Sequence, residues 1–487
     1  MLLNLFYSLL MLGSYCLAAF AVFPLLSYPL KKLESSKPFS LLLALGFGPL
    51  LISFSLETLI FFFEFSSFIN LIISTIFFVI IIGAFCHYFF RPEQTYCFKS
   101  SEWNWLFNRA YAAGLVGILL IAAFMFSRVF FLPITANDPL EYAASARLLF
   151  DGLSLQNYPY LETDKNNGYY GPWTHPLGYI GLILWGYLIQ GTHKISAVIS
   201  LISLYYYVLL FLLPICLSGK SQKPSTILAF AYSIGLTPLI FSLTLDSHID
   251  PIRILVLTCF AILHAKTFNN GGLKNRVILG LVLGLTLYCH SINILLIPLL
   301  IIIHIIVCFR TSPVRVLEGI YIALIAVSLN SFRYYTNYKL FGHPVADTGA
   351  VPVWALESLM YEEYFEIIRG FSTFREKWLL GGLGLLTKPH IYGIAGWIFL
   401  LSLWLQLRDA NFKVFNFIRN LFGSGIQSIA QLYVLGFLAM MILSLVLGMD
   451  SFIKNIRYML TIVPLSIIST QLYLTHSNKQ SKEKNPT

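Results

Sequence analysis

The chain is organised as long apolar runs separated by short polar connections. Runs of ~17–25 apolar residues are long enough to span a bilayer as helices. Apolar stretches occupy 2–30, 39–63, 67–90, 109–133, 195–217, 225–245, 251–267, 277–290, 291–309, 316–331, 391–407, 428–448 and 456–474. The connections between them fall into two classes. One is basic: Lys31, Lys32 and Lys37; Arg91, Lys99 and Arg109; Lys220 and Lys223; Lys266, Lys274 and Arg276; Arg310 and Arg315; Arg408, Lys413 and Arg419; and the tail with Lys479, Lys482 and Lys484. The other is acidic or mixed and includes the two longest connections, 134–194 and 332–390. Basic connections are retained on the cytoplasmic side, so the acidic class is expected to face outward. The alternation works only if 176–190, though apolar, does not cross. That stretch is expected to lie along the membrane surface with Tyr179, Trp185 and Tyr187 as interfacial anchors. The expected architecture is all-helical and polytopic, with about thirteen spans, the N-terminus outside and the C-terminus inside.

Composition sharpens this picture. Charged residues make up only 11% of 487 residues, against 57% hydrophobic, whereas soluble domains carry roughly 25% charged residues. No sizeable soluble domain is expected. The net charge of +10 arises in the short connections, as expected for loops facing anionic lipid. With no basic patch interleaved with aromatics outside the spans, nucleic acid is not an expected partner. The seven cysteines form no CxxC pair and read as small apolar core residues. The first run lacks a preceding positive charge and is too long for a signal peptide, so it reads as an uncleaved span. Glu57, and less clearly His304, are the ionisable residues expected at mid-depth; the acids otherwise gather at one surface. Transporters normally place such groups near the midplane, so the distribution points towards chemistry at the interface.

Three outward motifs can carry chemistry. In Thr135-Ala-Asn-Asp-Pro-Leu-Glu-Tyr142, Asp138 before Pro139 reads as a cap for a helix over 139–150, with Glu141 completing a capping-box pattern. A carboxylate at the rim of the bilayer is equally a candidate catalytic group. Gly168–Tyr179 contains His175 before Pro176 and is rich in turn residues and aromatics that can anchor at the interface or stack on sugar faces. In Leu245-Asp-Ser-His-Ile-Asp-Pro-Ile-Arg253, Asp246, His248 and Asp250 are of types that bind a divalent metal, Asp250 can cap a helix, and Arg253 can pair with Asp250. A cationic group at the outward ends, Arg333, Lys388, His390, Lys454 and Arg457, suits an anionic phosphate or simple snorkelling to the interface. Aromatics and charges across 355–380 suggest amphipathic surface segments.

Taken in order, these motifs resemble the C-type membrane glycosyltransferases, and among them bacterial enzymes akin to protein O-mannosyltransferases and lipid A aminoarabinose transferases. The likeness rests on Asn137–Tyr142 after a span, on His175-Pro-Leu-Gly-Tyr179 leading into a helix, and on Asp246–Asp250 opening a later span. It continues through Gly280-Leu-Val-Leu-Gly284 followed by His290, through Arg333-Tyr-Tyr and Tyr338-Lys-Leu-Phe-Gly-His-Pro344, and through Arg457-Tyr-Met-Leu-Thr-Ile-Val-Pro464. It covers 109–474 and departs from the family at His290, where lysine is usual. The resemblance implies three parts: an N-terminal three-span extension (1–108), a catalytic membrane unit (109–474) and a polar cytoplasmic tail (475–487). It also implies a bacterial inner-membrane location and transfer of a sugar from a polyprenyl-phosphate donor to a hydroxyl of a glycan, lipid or protein acceptor. The implied roles are Asp138 as base with Glu141 assisting, Arg333, Lys388, His390 and Arg457 for the donor phosphate, and Tyr142, His175, Asp246, Asp250, Arg253 and His290 for substrate and loops. A permease or flippase for a lipid-linked or polar solute is the alternative.

Overall fold

The computed structural model describes residues 2–30, 36–90, 109–131, 137–153, 155, 176–193, 197–218, 222–308, 312, 314–341, 384–446 and 456–484. All regular structure among them is helical. The helices are α1 (Leu2–Ser27), α2 (Ser36–Phe62), α3 (Phe68–Phe89), α4 (Arg109–Phe131), α5 (Asn137–Gly152), α6 (Leu177–Gln190) and α7 (Ala197–Leu217). They continue with α8 (Pro224–Gly235), α9 (Pro238–Leu245), α10 (Asp250–Thr267), α11 (Leu273–Cys289), α12 (Leu296–Cys308), α13 (Val314–Leu329) and α14 (Ser331–Phe341). The last are α15 (Gly384–Thr387), α16 (Pro389–Tyr392), α17 (Ala395–Asp409), α18 (Val414–Leu421), α19 (Ile426–Val446) and α20 (Ile462–Lys484).

Wherever the apolar runs read from the sequence fall on described residues, those residues are mainly helical. Among the described residues, five helices are long and apolar enough to cross a membrane: Leu3–Leu30, Lys37–Phe62, Phe68–Phe89, Ile199–Leu217 and Arg457–Thr475. The number rises to seven if each of two bent pairs is one span. The run 225–245 is one such pair, broken between Gly235 and Pro238 and bent by 56°. Proline at 238 has no N–H for the helical ladder and clashes with the preceding turn, so the helix restarts there. The stretches 168–174 and 355–380, and with them His175, lie outside the described residues, as does Lys454.

The chain divides into two compact units. The first comprises 1–160, 176–235 and 240–256. Here α1 and α2 approach backbone to backbone: a Cβ on Gly48 would lie 2.5 Å from Ala19 N and 2.6 Å from Ala19 Cα. Only glycine permits this, and small residues at helix contacts are what membrane packing uses where the hydrophobic effect is weak. Gly48→Ala is expected to destabilise the unit by about 3 kcal/mol or more, because backbone atoms must move to admit the methyl. Thermal unfolding in detergent measures this, and an unchanged midpoint would refute the close approach. Tyr205 and Tyr206 of α7 donate to the carbonyls of Leu45 and Gly46 at 2.8 and 3.0 Å, fastening α7 to α2.

The position of α6 corrects the expectation for 176–190. This helix is buried on essentially every face, with Tyr179, Trp185 and Tyr187 at most 3% exposed. It packs against α1, α2, α3, α5 and α7 rather than resting on a membrane surface. Trp185 Nε1 donates to Ser14 Oγ at 2.8 Å, and Ser53 Oγ donates to Leu177 O at 3.0 Å. The aromatic residues are core here because five helices enclose α6. Helices α1, α2 and α3 fall in the same compact unit as α5 and α6.

The second unit comprises 161–175, 236–239 and 257–487. Gly280 and Gly284 of α11 lie against Ile325 and Leu329 of α13, so a Cβ on Gly280 would meet Ile325 Cβ at 2.6 Å. Asn330 Nδ2 donates to Gly284 O at 2.9 Å at the end of that seam. Four elements meet in a hydrogen-bonded chain. His304 Nδ1 lies 2.8 Å from Arg315 O, His304 Nε2 lies 3.1 Å from His264 Nε2, and Tyr433 Oη lies 2.8 Å from His264 Nδ1. The directions follow from one fact. A carbonyl only accepts, so His304 Nδ1–H donates to Arg315, His264 Nε2–H donates to His304, and the Tyr433 hydroxyl donates to His264.

Candidate functional site

The first unit gathers an acidic group and a basic group from elements far apart in sequence. Asp138 stands in the first turn of α5. Helix α10 begins at Asp250, the first residue of the Asp-Pro motif, and the Ile249 carbonyl accepts the Arg253 N–H at 3.2 Å in the first turn. The Asp250 carboxylate pairs with the arginine one turn on, as the spacing suggests. Arg253 Nε and Nη2 both donate to Asp250 Oδ1, at 3.1 and 2.6 Å. The pair is buried, with Arg253 fully excluded from solvent. Asp250 Oδ2 lies 4.0 Å from His248 Nδ1, and the same nitrogen lies 3.7 Å from Asp138 Oδ2. The sequence of charges is thus guanidinium, carboxylate, imidazole, carboxylate, ending on Asp138, whose side chain is 33% exposed. Arg253 pairs with Asp250 in the buried interior, while Asp138 is partly open to solvent.

The turn that presents His248 is conformationally unusual. Ser247 has φ 62°, a left-handed conformation that costs a residue with a Cβ about 1–2 kcal/mol. Three hydroxyls from neighbouring helices hold it. Tyr179 of α6 donates to Ser247 O at 2.6 Å, Ser200 Oγ of α7 lies 2.6 Å from Ser247 Oγ, and Ser203 of α7 donates to His248 O at 2.9 Å. At about 1 kcal/mol each, such bonds offset the strain, and strained turns of this kind cluster at functional sites.

Glu141 lies on the solvent side of α5. Partial burial, and then the neighbouring charge of Asp138, raise its carboxyl above the ordinary carboxylate range. A carboxyl raised in the folded state favours folding below its ordinary pKa, and that contribution is lost as pH rises through the raised value. Asp138→Asn removes the second cause and leaves the first. The Glu141 titration, followed by the infrared carboxyl band, is expected to move downwards but to stop short of the ordinary value. A titration unchanged by the substitution would show that the two acids do not interact.

Other residues singled out by the sequence fall into different settings. Tyr142 is buried and packs edge-to-face on Tyr179 with ring centroids 5.3 Å apart; it fixes α5 on α6. Asp246 is half-buried at the end of α9, where its N–H bonds to Ser242 O at 3.0 Å. Among the described residues, no three His, Cys, Asp or Glu side chains are grouped to hold a metal ion, and Asp250 instead takes a guanidinium as its cation. In the second unit, His290 Nδ1 accepts the Ile292 N–H at 3.1 Å, capping the turn between α11 and α12. Its ring lies edge-on to Tyr458, next to Arg457, at 6.2 Å. Arg333 is buried on α14, Lys388 is half-buried immediately before α16, and His390 is exposed on α16.

Sequence reasoning undervalued four residues. His248 was legible as a polar group in the hairpin, but not its place between two carboxylates. Tyr179 looked like an interfacial anchor. Ser200 and Ser203 carry no signal, since serines three apart on an apolar helix are unremarkable without knowledge of what they face. No protein-family model, curated protein or solved structure matches this chain.

Proposed function

We propose that the chain is a membrane glycosyltransferase. It moves a sugar from a polyprenyl-phosphate donor to an acceptor hydroxyl at the non-cytoplasmic face, with inversion. The observation that carries this reading is Asp138, a part-exposed carboxylate backed by His248 and the buried Asp250–Arg253 pair. An acceptor hydroxyl needs a base within reach as its oxygen attacks the anomeric carbon. Asp138 takes the hydroxyl proton, the new C–O bond forms, and the bond to phosphate breaks with its electron pair leaving on polyprenyl phosphate. That leaving group is already a stable anion and calls for cations rather than a protonating acid. The resemblance implies Arg333, Lys388 and Arg457 for that role, with His390 as a weaker contributor, and Glu141 as an aid to the base. The order of outward motifs resembling the C-type enzymes supports the same reading, as does the alternation of basic and acidic connections. The full proposed topology has about thirteen spans in a bacterial inner membrane, with the acceptor a glycan, lipid or protein.

The test is release of free polyprenyl phosphate by the reconstituted full chain, supplied with a mixed pool of polyprenyl-phosphate sugars and membrane-extracted acceptors. Anomeric configuration of the product is read by NMR. Absence of release, or retention of configuration, would sink the reading.

A permease is the second reading. Two observations favour it: the bend within 224–245 and the buried His264–His304–Tyr433 chain, since broken helices and intramembrane ionisable groups mark transport pathways.

A further inference from the structure

The connection between α17 and α19 contains a short helix with an exposed apolar face. Over α18, Val414, Phe415 and Ile418 are exposed, and the row continues through Phe422 just beyond its end. At 100° per residue these four lie within one arc of the helix. Leu421 is buried and Phe417 half-buried beside that arc, towards the protein. The opposite side carries Lys413, Asn416, Arg419 and Asn420. Phe415 is 77% exposed, the most exposed large apolar side chain among the described residues.

The orientation of this face is built in. Helix α19 has 21 residues, about 30 Å at 1.5 Å each, which matches the hydrocarbon thickness. α18 meets it at 92°. If α19 runs along the bilayer normal, α18 lies in the plane of the membrane surface. The corner is fastened by Ser428 Oγ donating to Asn420 O at 2.8 Å and Asn269 Nδ2 donating to Ser424 O at 2.9 Å. At its other end, Asn411 and Phe412 adopt φ 53° and 56°, a tight reversal out of α17. Tyr473 of α20 donates to Asp409 and pins the end of α17. The bond from Asn269 brings the α10–α11 connection to the same end of this unit, so the exposed Leu273 and Lys274 follow on that rim. Trp404, half-exposed, lies 5.8 Å beneath the Arg408 guanidinium. Tryptophan with flanking basic residues is the composition of a membrane–water interface.

We propose that α18 is an interfacial helix that seats this end of the protein on an anionic lipid leaflet. Phe415, Ile418 and Phe422 enter the acyl boundary, while Lys413 and Arg419 meet headgroup phosphates. Charge complementarity selects the occupant: the polar side of α18 carries the cations Lys413 and Arg419 and no acid, and Asp409, the acid nearest in sequence, is already bonded to Arg408 and Tyr473. The inference rests on the membrane character of the chain and not on the transferase reading.

Two measurements on the full chain test it. In nanodiscs, Phe415→Trp adds one reporter to the native tryptophans, and the difference emission reads its surroundings. Lipids brominated on the acyl chain are expected to quench the added emission strongly, and aqueous iodide to leave it unaffected. Quenching by iodide would place the residue in water, and shielding from both would mean that protein covers the face; either result overturns the proposal. Separately, Lys413→Ser with Arg419→Ser is expected to weaken retention of phosphatidylglycerol over phosphatidylcholine about 30-fold, at the strength of two surface cations. Retention equal to that of the parent chain, with the variant eluting as a folded particle, would show that these cations do not recognise lipid.

Discussion

Asp138→Asn is expected to lower sugar transfer about 10²–10⁴-fold, the usual contribution of a positioned base, while expression and folding persist. The side chain keeps its size, and a third of it is exposed, so little packing changes. The amide can still lie beside His248, but it cannot take a proton from an acceptor hydroxyl. Transfer measured with saturating donor isolates the chemical step, since the donor phosphate is assigned to other residues. A permease needs no base, so the same substitution would leave solute flux near that of the parent chain. Transfer within twofold of the parent would remove Asp138 from the reaction and take the enzymatic reading with it.

Arg253→Met is expected to destabilise the fold by about 3–5 kcal/mol, because it strands a buried carboxylate without its partner. Both bonds to Asp250 Oδ1 come from this one guanidinium, and the residue is fully buried. Adding Asp250→Asn to the same chain is expected to recover most of the loss. The unfavourable term is the unpaired charge and not the missing contact, so the two effects are strongly non-additive. Unfolding midpoints of the two single variants and the double variant in detergent provide the cycle. Equal and additive losses would mean that the pair contributes no coupling. Arg253→Lys is the informative partial case: a single ammonium lacks the fork that places two donors on one oxygen, so an intermediate loss is expected.

The helical fold is legible in the residues because it follows from a local rule. In an apolar medium every backbone group must be satisfied within the segment, so each long apolar run folds as helix whatever surrounds it, and the described parts of the runs do so. Breaks are also partly local: Pro238 interrupts 225–245 by its own covalent structure. The pairing of Arg253 with Asp250 is a three-residue spacing on one helix and is visible in the same way.

Long-range partners obey no such rule. Nothing in 176–190 distinguishes a helix resting on a membrane from one enclosed by five others, because an all-apolar surface suits both. Only the packing of α1, α2, α3, α5 and α7 around it makes Tyr179 a buried donor to Ser247. Asp138 and His248 stand 110 positions apart; their 3.7 Å separation depends on how α5 and the α9–α10 turn are held by α6 and α7. The glycine at 48 looks like any glycine in an apolar run until the backbone of Ala19 is seen to occupy the space where its side chain would be. The residues alone determined where the chain is helical and which groups carry charge. Tertiary packing decided which of those groups meet, because contacts between distant segments depend on the shapes of all the side chains between them.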